Sequence, residues 1–329
     1  MFENISILLP IKNGAKFAHA SLSSILESCR EDDEIVVIDN FSEDSTSEIV
    51  RNIMKTDSRV RLIKSTNQGL VSALNQGISE STNRWIARFD VDDTYEKERL
   101  EVQRTYIDKS VVGIFTDYDF YSEHGQYLGV IPTAIDSRAV TISLISSTRT
   151  AHPSVLFDKE AVLEVGGYRE IDFPAEDLSL WLRLSRRGKL ISIPKVLLHY
   201  RLSGNSITGE KRSEAIEKKH QLLKEIGISP SSINEFIEGL PEIQRTYAEN
   251  TYEQERTILL IRDLILLSKH NSIERTQNSQ IARNILKLSF KSLHSYRSLK
   301  ATMNLAREQK IRSKFRNNQP NVDENSKVI

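Results

Sequence analysis

Four short apolar runs, each followed by a segment with helical spacing, constrain this chain more than any other feature. ISILLP leads to a helix around Lys16 to Cys29, and EIVVID (Glu34 to Asp39) to one over Ser45 to Met54. VRLIK (Val60 to Lys64) leads to Leu70 to Ser79, and WIARF (Trp85 to Phe89) to Tyr95 to Ile107. The runs lack period-two alternation, as expected for strands covered on both faces of a parallel sheet. Such βα units wind right-handedly into an open α/β sheet, whose ligands bind beyond the carboxyl ends of the strands. Function is expected at those tips.

After Val111 the pattern changes. A hairpin is expected from Phe115 to Tyr121 and Tyr127 to Ile131, then a helix near Ser137 to Ser146 and a strand from Ser154 to Phe157. A helix over Asp177 to Arg187 and closing strands Leu190 to Ile193 and Val196 to Leu202 follow. Beyond that the patterning is helical, near Ser213 to Lys224, Ser232 to Ile237, Tyr252 to Ser268 and Ile281 to Lys310, before a polar tail. The expected organisation is a catalytic body over residues 1–207, a helical region over 208–318 and a disordered tail over 319–329.

Composition narrows the classes. The 329 residues carry 45 Lys+Arg against 45 Asp+Glu, with 39 % hydrophobic residues, enough for a sizeable core. One cysteine, Cys29, excludes an intramolecular disulfide and a thiolate metal cluster. MFENISILLP lacks a basic signal-peptide region, and Ile258 to Ile261 is cut by Arg262, so neither secretion nor a membrane span is expected. A cytoplasmic protein follows. The zero net charge is uneven: Ile281 to Arg316 holds ten Lys/Arg and one acid, Glu308, about +9. That segment can lie on an anionic membrane, peripheral to the inner face, or pack on the acidic body. It has no nucleic-acid reading motif, so no nucleic acid is expected.

The chemistry-bearing residues are carboxylates. Asp39 closes EIVVID at a strand tip, where it can accept hydrogen bonds from a base or ribose; Ser42 and Asp44 behind it suit helix capping. Arg88-Phe89-Asp90-Val91-Asp92-Asp93 ends an apolar strand in three acids. In an extended segment Asp90 and Asp92 share a face and can converge on one ligand, while Asp93 points elsewhere. Clustered carboxylates repel unless a cation compensates them, and hard oxygen ligands suit Mg²⁺ or Mn²⁺. Glu176 and Asp177 open a helix, where they can stabilise its N-terminus or supply a general base. Gly166-Gly167-Tyr168-Arg169 and His152-Pro153-Ser154 lie upstream, and Leu198-His199-Tyr200-Arg201 downstream.

These segments, in this order from Ile5 to Ser206, resemble the family 2 glycosyltransferases with the GT-A fold, and within them bacterial enzymes of surface-polysaccharide assembly. The motifs are the first strand with Pro10 and Asn13, EIVVIDNFSEDST, NQGLVSALNQGI, ARFDVDD, ERLEVQ, AHPSVLF, GGYRE, AEDLSLWLRL and LHYRLSGNSIT. The resemblance implies a Rossmann-like mixed sheet flanked by helices, followed here by a helical C-terminal region. It implies donor contacts at Pro10, Ile11, Asp39, Asn67, Gly69 and Asp90, and a divalent metal, Mn²⁺ or Mg²⁺, on Asp92. Asp177 is implied as the base, with Glu176, Trp181, His152, His199 and Arg201 supporting it or bordering the acceptor. The implied reaction is inverting transfer from a nucleotide-diphospho-sugar, UDP-linked, to a saccharide or lipid-linked acceptor in O-antigen, capsule or exopolysaccharide synthesis. Two positions depart from the pattern: Asn40 stands where many relatives carry an acid, and Ser203 where a metal-binding His is common, so that water substitutes, or His199 moves in, or the metal binds more weakly, with water the expected replacement.

Two other readings stay open. A sugar nucleotidyltransferase shares the general fold, yet PIKNGAKF lacks the Gly-rich start of that class. A non-catalytic nucleotide-sugar-binding or scaffolding protein would dispense with Asp92 and Asp177.

Overall fold

The computed structural model describes residues 3–131, 133, 137–146, 150–202 and 211–225. The expected strands and helices of the first half form as β1 (Ile5–Ile11), α1 (Ala15–Ser28), β2 (Glu34–Asp39), α2 (Thr46–Met54), β3 (Val60–Lys64), α3 (Leu70–Glu80) and β4 (Trp85–Arg88). β1 lies between β2 and β4, and β2 pairs with β3, all in parallel. Every residue of β1 is buried. Ile5, Ile7, Leu9 and Ile11 join Ala18, Leu22 and Ile25 of α1, whereas Leu8 packs with Val71, Leu74 and Ile78 of α3. Two covered faces account for the continuous apolar runs.

The second half completes a mixed sheet. Its elements are β5 (Thr94–Tyr95), α4 (Arg99–Arg104), β6 (Val111–Ser122), β7 (Tyr127–Ile131), α5 (Ser137–Ser146), β8 (Leu156–Asp158), α6 (Lys159–Glu164), α7 (Glu176–Leu184), β9 (Lys189–Leu202) and α8 (Arg212–Glu225). The strand order is β3-β2-β1-β4-β8-β6-β9-β5, with β7 on β6. β8 runs antiparallel to both β4 and β6, and β9 runs parallel to β6.

Three elements differ from expectation. The helix expected over Tyr95 to Ile107 shrinks to α4, because Thr94 and Tyr95 pair with His199 and Leu198 of β9. The two closing strands are one, β9, whose register on β6 jumps from Ile193 to Val196; Pro194, which cannot donate to a ladder, falls in that irregularity. The unanticipated helix α6 is capped by Asp158, whose carboxylate accepts from Glu160 N–H at 2.9 Å. α8 matches the expected helix over Ser213 to Lys224, while Ser203, the boundary at 208–210, the later helices, the basic segment and the tail lie outside the described residues. Among the described residues no helix is long and apolar enough to cross a membrane.

α4 ties the sheet together beneath the strand tips. Arg99 donates to the carbonyl of Arg88 at 3.0 Å, and Gln103 to those of Ile114 and Ser154 at 2.9 and 3.0 Å. On the opposite face, α3 approaches β1 so closely that a Cβ on Gly77 would lie 2.0 Å from Leu8 Cδ1. Gly77→Ala should therefore lower stability by about 1–3 kcal/mol, the usual cost of overpacking, read as a fall in the denaturation midpoint with an unchanged slope.

Candidate active site

The tips of β1, β2 and β3 form one knitted edge. Asn40 N–H donates to the carbonyl of Ile11 at 2.8 Å, and Asn40 Oδ1 accepts from Gly69 N–H at 3.1 Å. Asn13 Oδ1 accepts from Glu43 N–H at 2.9 Å. Ile11, Asn40 and Gly69 are thus linked, Pro10 lies opposite Ile38 in the β1–β2 ladder, and the Asn67 carbonyl accepts from Ser65 Oγ at 2.7 Å. Asp39 is buried, with one oxygen taking Ser42 N–H at 2.9 Å and the other taking the Ser47 hydroxyl. Asp44 takes the capping role expected of it, its Oδ1 accepting from Thr46 N–H at the start of α2 at 3.0 Å, whereas Ser42 Oγ accepts from Asn13 N–H at 3.0 Å.

β4 delivers the acidic loop. Phe89 N–H still bonds to the carbonyl of Leu8 at 3.0 Å, after which the chain turns at Val91–Asp92. The turn replaces the extended geometry, so Asp93 does not point elsewhere: Asp90, Asp92 and Asp93 each place a carboxylate oxygen within 4.8 Å of the others. Tyr95 closes the loop, its hydroxyl taking Asp90 N–H at 2.6 Å and its ring lying 4.2 Å from that of Phe89. Arg201 N–H donates to Asp93 Oδ1 at 2.8 Å, and Arg201 Nε to the carbonyl of Asp92 at 3.0 Å.

Charge in this loop is under-compensated. Burial and then the charge of Asp90 push Asp92 up to about 6, and the same causes push Asp93 well above the usual carboxylate range. Asp93 Oδ2 is buried without a hydrogen-bond partner among the described residues. Asp90 is paired with Arg88, a guanidinium only 3 % exposed, which Asp90 keeps charged despite its desolvation. The sequence reading quoted Arg88 but assigned it no role; its signal was a cation ending an otherwise apolar strand.

A second acidic pair shares that cation. Glu176 and Asp177 open α7, and Arg88 lies within electrostatic reach of both. Glu176 is pushed up to about 7 by burial and by the charge of Asp177, and its Oε2 has no partner among the described residues. Burial also raises Asp177, against the opposing bond from Leu178 N–H to its Oδ1 at 2.6 Å. Next to them Tyr168 OH meets His152 Nε2 at 2.7 Å. Burial holds His152 well below its usual pKa, so the ring is neutral and its tautomer sets which of the two groups donates in that bond.

Trp181, expected near the acceptor, is fully buried and packs edge-on to Phe115 and His152, at 5.3 and 5.8 Å between centroids. It braces α7 rather than meeting a ligand. Asn75, which the sequence reading passed over, clasps Tyr168 at both backbone atoms: Nδ2 donates to its carbonyl at 2.8 Å and Oδ1 accepts from its N–H at 2.9 Å. That clasp requires Gly167, whose φ is +63° and whose Cβ would sit 2.7 Å from Asn75 Oδ1.

A buried carboxyl with a raised pKa stabilises the fold at low pH and loses that contribution as pH rises. For Glu176 the window runs from the ordinary value of 4.5 to about 7. Glu176→Gln should therefore melt progressively higher than the parent chain between pH 4.5 and 8, a difference measurable by thermal denaturation at both ends of that range.

Comparison with known proteins bears on this site. Residues 6–142 match the sequence model of glycosyl transferase family 2, the family that the motifs resemble. An uncharacterised glycosyltransferase of Rickettsia bellii is 29 % identical over 205 residues, 62 % of this chain but 29 % of that protein, so this chain spans about a third of the length of such relatives. TuaG of Bacillus subtilis, named as a putative teichuronic acid biosynthesis glycosyltransferase, is 27 % identical over 63 % of this chain and 82 % of its own. Among solved structures, residues 1–349 of S. aureus TarS in complex with UDP-GlcNAc give a TM-score of 0.59 at 15 % identity, over 94 % of this chain and 92 % of that one. The mannosyltransferase PcManGT of Pyrobaculum calidifontis, in complex with GDP-Man and Mn²⁺, gives 0.55 at 17 % identity, over 95 % and 87 %. At these identities the likeness is one of fold, the GT-A architecture implied by the sequence motifs.

Proposed function

We propose that this chain transfers a glycosyl group from a nucleoside-diphospho-sugar, UDP-linked, to a hydroxyl of a saccharide or lipid-linked acceptor in surface-polysaccharide assembly, with inversion at the anomeric carbon. The observation that carries the reading is the juxtaposition of two acidic groups around Arg88: the three carboxylates after β4 and the pair opening α7. The family match, and relatives such as TuaG, support the reaction class.

The residues after β4 fit a divalent cation. They are hard oxygen donors within reach of one another, one of their oxygens is a buried orphan, and their raised pKa values record charge that a cation would satisfy. Asp90, Asp92 and Asp93 would hold Mn²⁺ or Mg²⁺, which as a Lewis acid would stabilise negative charge on the leaving diphosphate. The knitted tips of β1, β2 and β3 would hold the nucleoside.

Asp177 would take the proton of the acceptor hydroxyl as its oxygen bonds to the anomeric carbon and the bond to the diphosphate breaks. Arg88 favours the anionic form of both Asp177 and Glu176, opposing the burial that raises them. His152 and Tyr168, both neutral, fill the wall beside the pair without adding charge.

A thermal-shift screen of UDP- and GDP-sugars with Mn²⁺ tests the reading, because a ligand that binds only the folded state stabilises it by mass action. UDP-sugars should raise the melting temperature in a metal-dependent way. Asp92→Ala should abolish that shift, whereas Asp177→Asn should keep it and lower turnover by about 10²-fold or more. No shift with any nucleotide, or normal turnover in Asp177→Asn, would remove the assignment. Separately, the charge of about +9 over Ile281 to Arg316 supports peripheral contact with an anionic membrane. The chain should co-sediment with phosphatidylserine vesicles, and less so as salt rises.

A further inference from the structure

One titratable cluster stands apart from the residues given roles above. His199, on β9, is held by two carboxylates at once: Nδ1 lies 2.8 Å from Asp119 Oδ1 on β6, and Nε2 lies 3.0 Å from Glu96 Oε1 just after β5. The Tyr121 ring packs edge-on against it, 5.9 Å between centroids. These are the groups that face it from β5 and β6, and from its own strand the nearest charged neighbour is Arg201. A neutral imidazole has one N–H and can donate to one carboxylate only; the imidazolium donates to both.

The cluster sits where the acidic loop is anchored. Segment 93–96 is fastened to β9 by the Thr94–His199 pair, by Glu96 N–H donating to the carbonyl of Leu197 at 3.3 Å, and by Arg201 N–H donating to Asp93 at 2.8 Å. Arg201 also reaches the carbonyl of Asp92 from two residues beyond His199. β5 is only two residues long, so its backbone ladder alone holds the loop weakly. The side chain of His199 adds a tie from Glu96 across β9 to Asp119, in the interior of the sheet.

We propose that His199 is a positioning residue for the cation-binding loop: its imidazolium clips Glu96 to Asp119, fixes β5 against β9, and so holds Arg201 on Asp92 and Asp93. The inference rests on the reading that those aspartates bind a divalent cation. It assigns His199 no contact with the cation itself.

The hydrogen bond that His199 donates to Asp119 raises the pKa of His199 above its usual value. The clip is therefore closed at low pH and opens as pH rises through that raised value. Partners that orient a metal site without ligating it typically matter by 10- to 100-fold in affinity.

The test is Mn²⁺ binding to the full chain, followed by electron paramagnetic resonance of the free ion, for the parent, His199→Gln and Asp92→Ala at pH 6.0 and 8.5. His199→Gln should bind Mn²⁺ about tenfold more weakly than the parent at pH 6.0 and nearly equally at pH 8.5, where the parent has also lost the clip. Protonation of Asp92 lowers affinity in both chains alike and cancels in the ratio. Equal affinity at pH 6.0, or the same loss at both pH values, overturns the proposal. Should the parent bind no Mn²⁺, the cation reading falls and this inference with it; if Asp92→Ala loses Mn²⁺ while His199→Gln does not, only the clip falls. If His199→Gln does not fold, Glu96→Gln at the more exposed end of the clip must show the same pH-dependent ratio, and its absence there is equally fatal.

Discussion

Arg88 is the interaction on which the rest of the site depends. A guanidinium at the end of a central strand cannot be left unpaired inside a protein, and removing one partner of a buried pair typically costs about 3–5 kcal/mol. Here the partner is Asp90, and the pairing turns the chain back at Val91–Asp92, where Tyr95 locks it. The same cation lies within reach of Glu176 and Asp177. One buried positive charge thus pairs with Asp90 and opposes the burial that raises Asp92, Asp93, Glu176 and Asp177.

The compensation is incomplete, and that is informative. Asp92, Asp93, Glu176 and Asp177 all carry raised pKa values, and two of their oxygens are buried without partners. A fold optimised for stability alone would replace such groups; perturbed carboxyls gathered around one buried cation are instead the mark of a functional site. Around them the support is stiff: Arg99 on the carbonyl of Arg88, Asn75 on Tyr168, and Trp181 packed beneath α7. Frustrated charge on a rigid frame is an arrangement that a cation and a phosphorylated ligand could relieve.

Much of this was legible in the residues. β2 and β3 run over the predicted residues, because unbroken apolar runs between turn residues specify a strand covered on both faces. The acidic tip of β4 and the acids opening α7 stood out for a related reason, as charges abutting apolar segments. Thr94 and Tyr95 did not read as a strand because β5 exists only through its pairing with β9, 103 residues away in sequence from Glu96 to His199. Trp181 is placed near the acceptor only by the resemblance, because its helical spacing shows which face is apolar but not what covers it.

The sequence by itself determined the βα alternation, the likeness of residues 6–142 to glycosyl transferase family 2, and the carboxylates around which any chemistry must be arranged. Those are local properties: periodicity, turn chemistry and residue type at a strand end are set by neighbours along the chain. Only the tertiary structure decided that Asp93 joins Asp90 and Asp92, that Asp39 is tied up by Ser42 and Ser47, that Arg88 serves two acidic groups and that His199 bridges Glu96 to Asp119. Each of these depends on burial and on partners distant in sequence, and the free energy of a buried charge is fixed by whatever surrounds it in space.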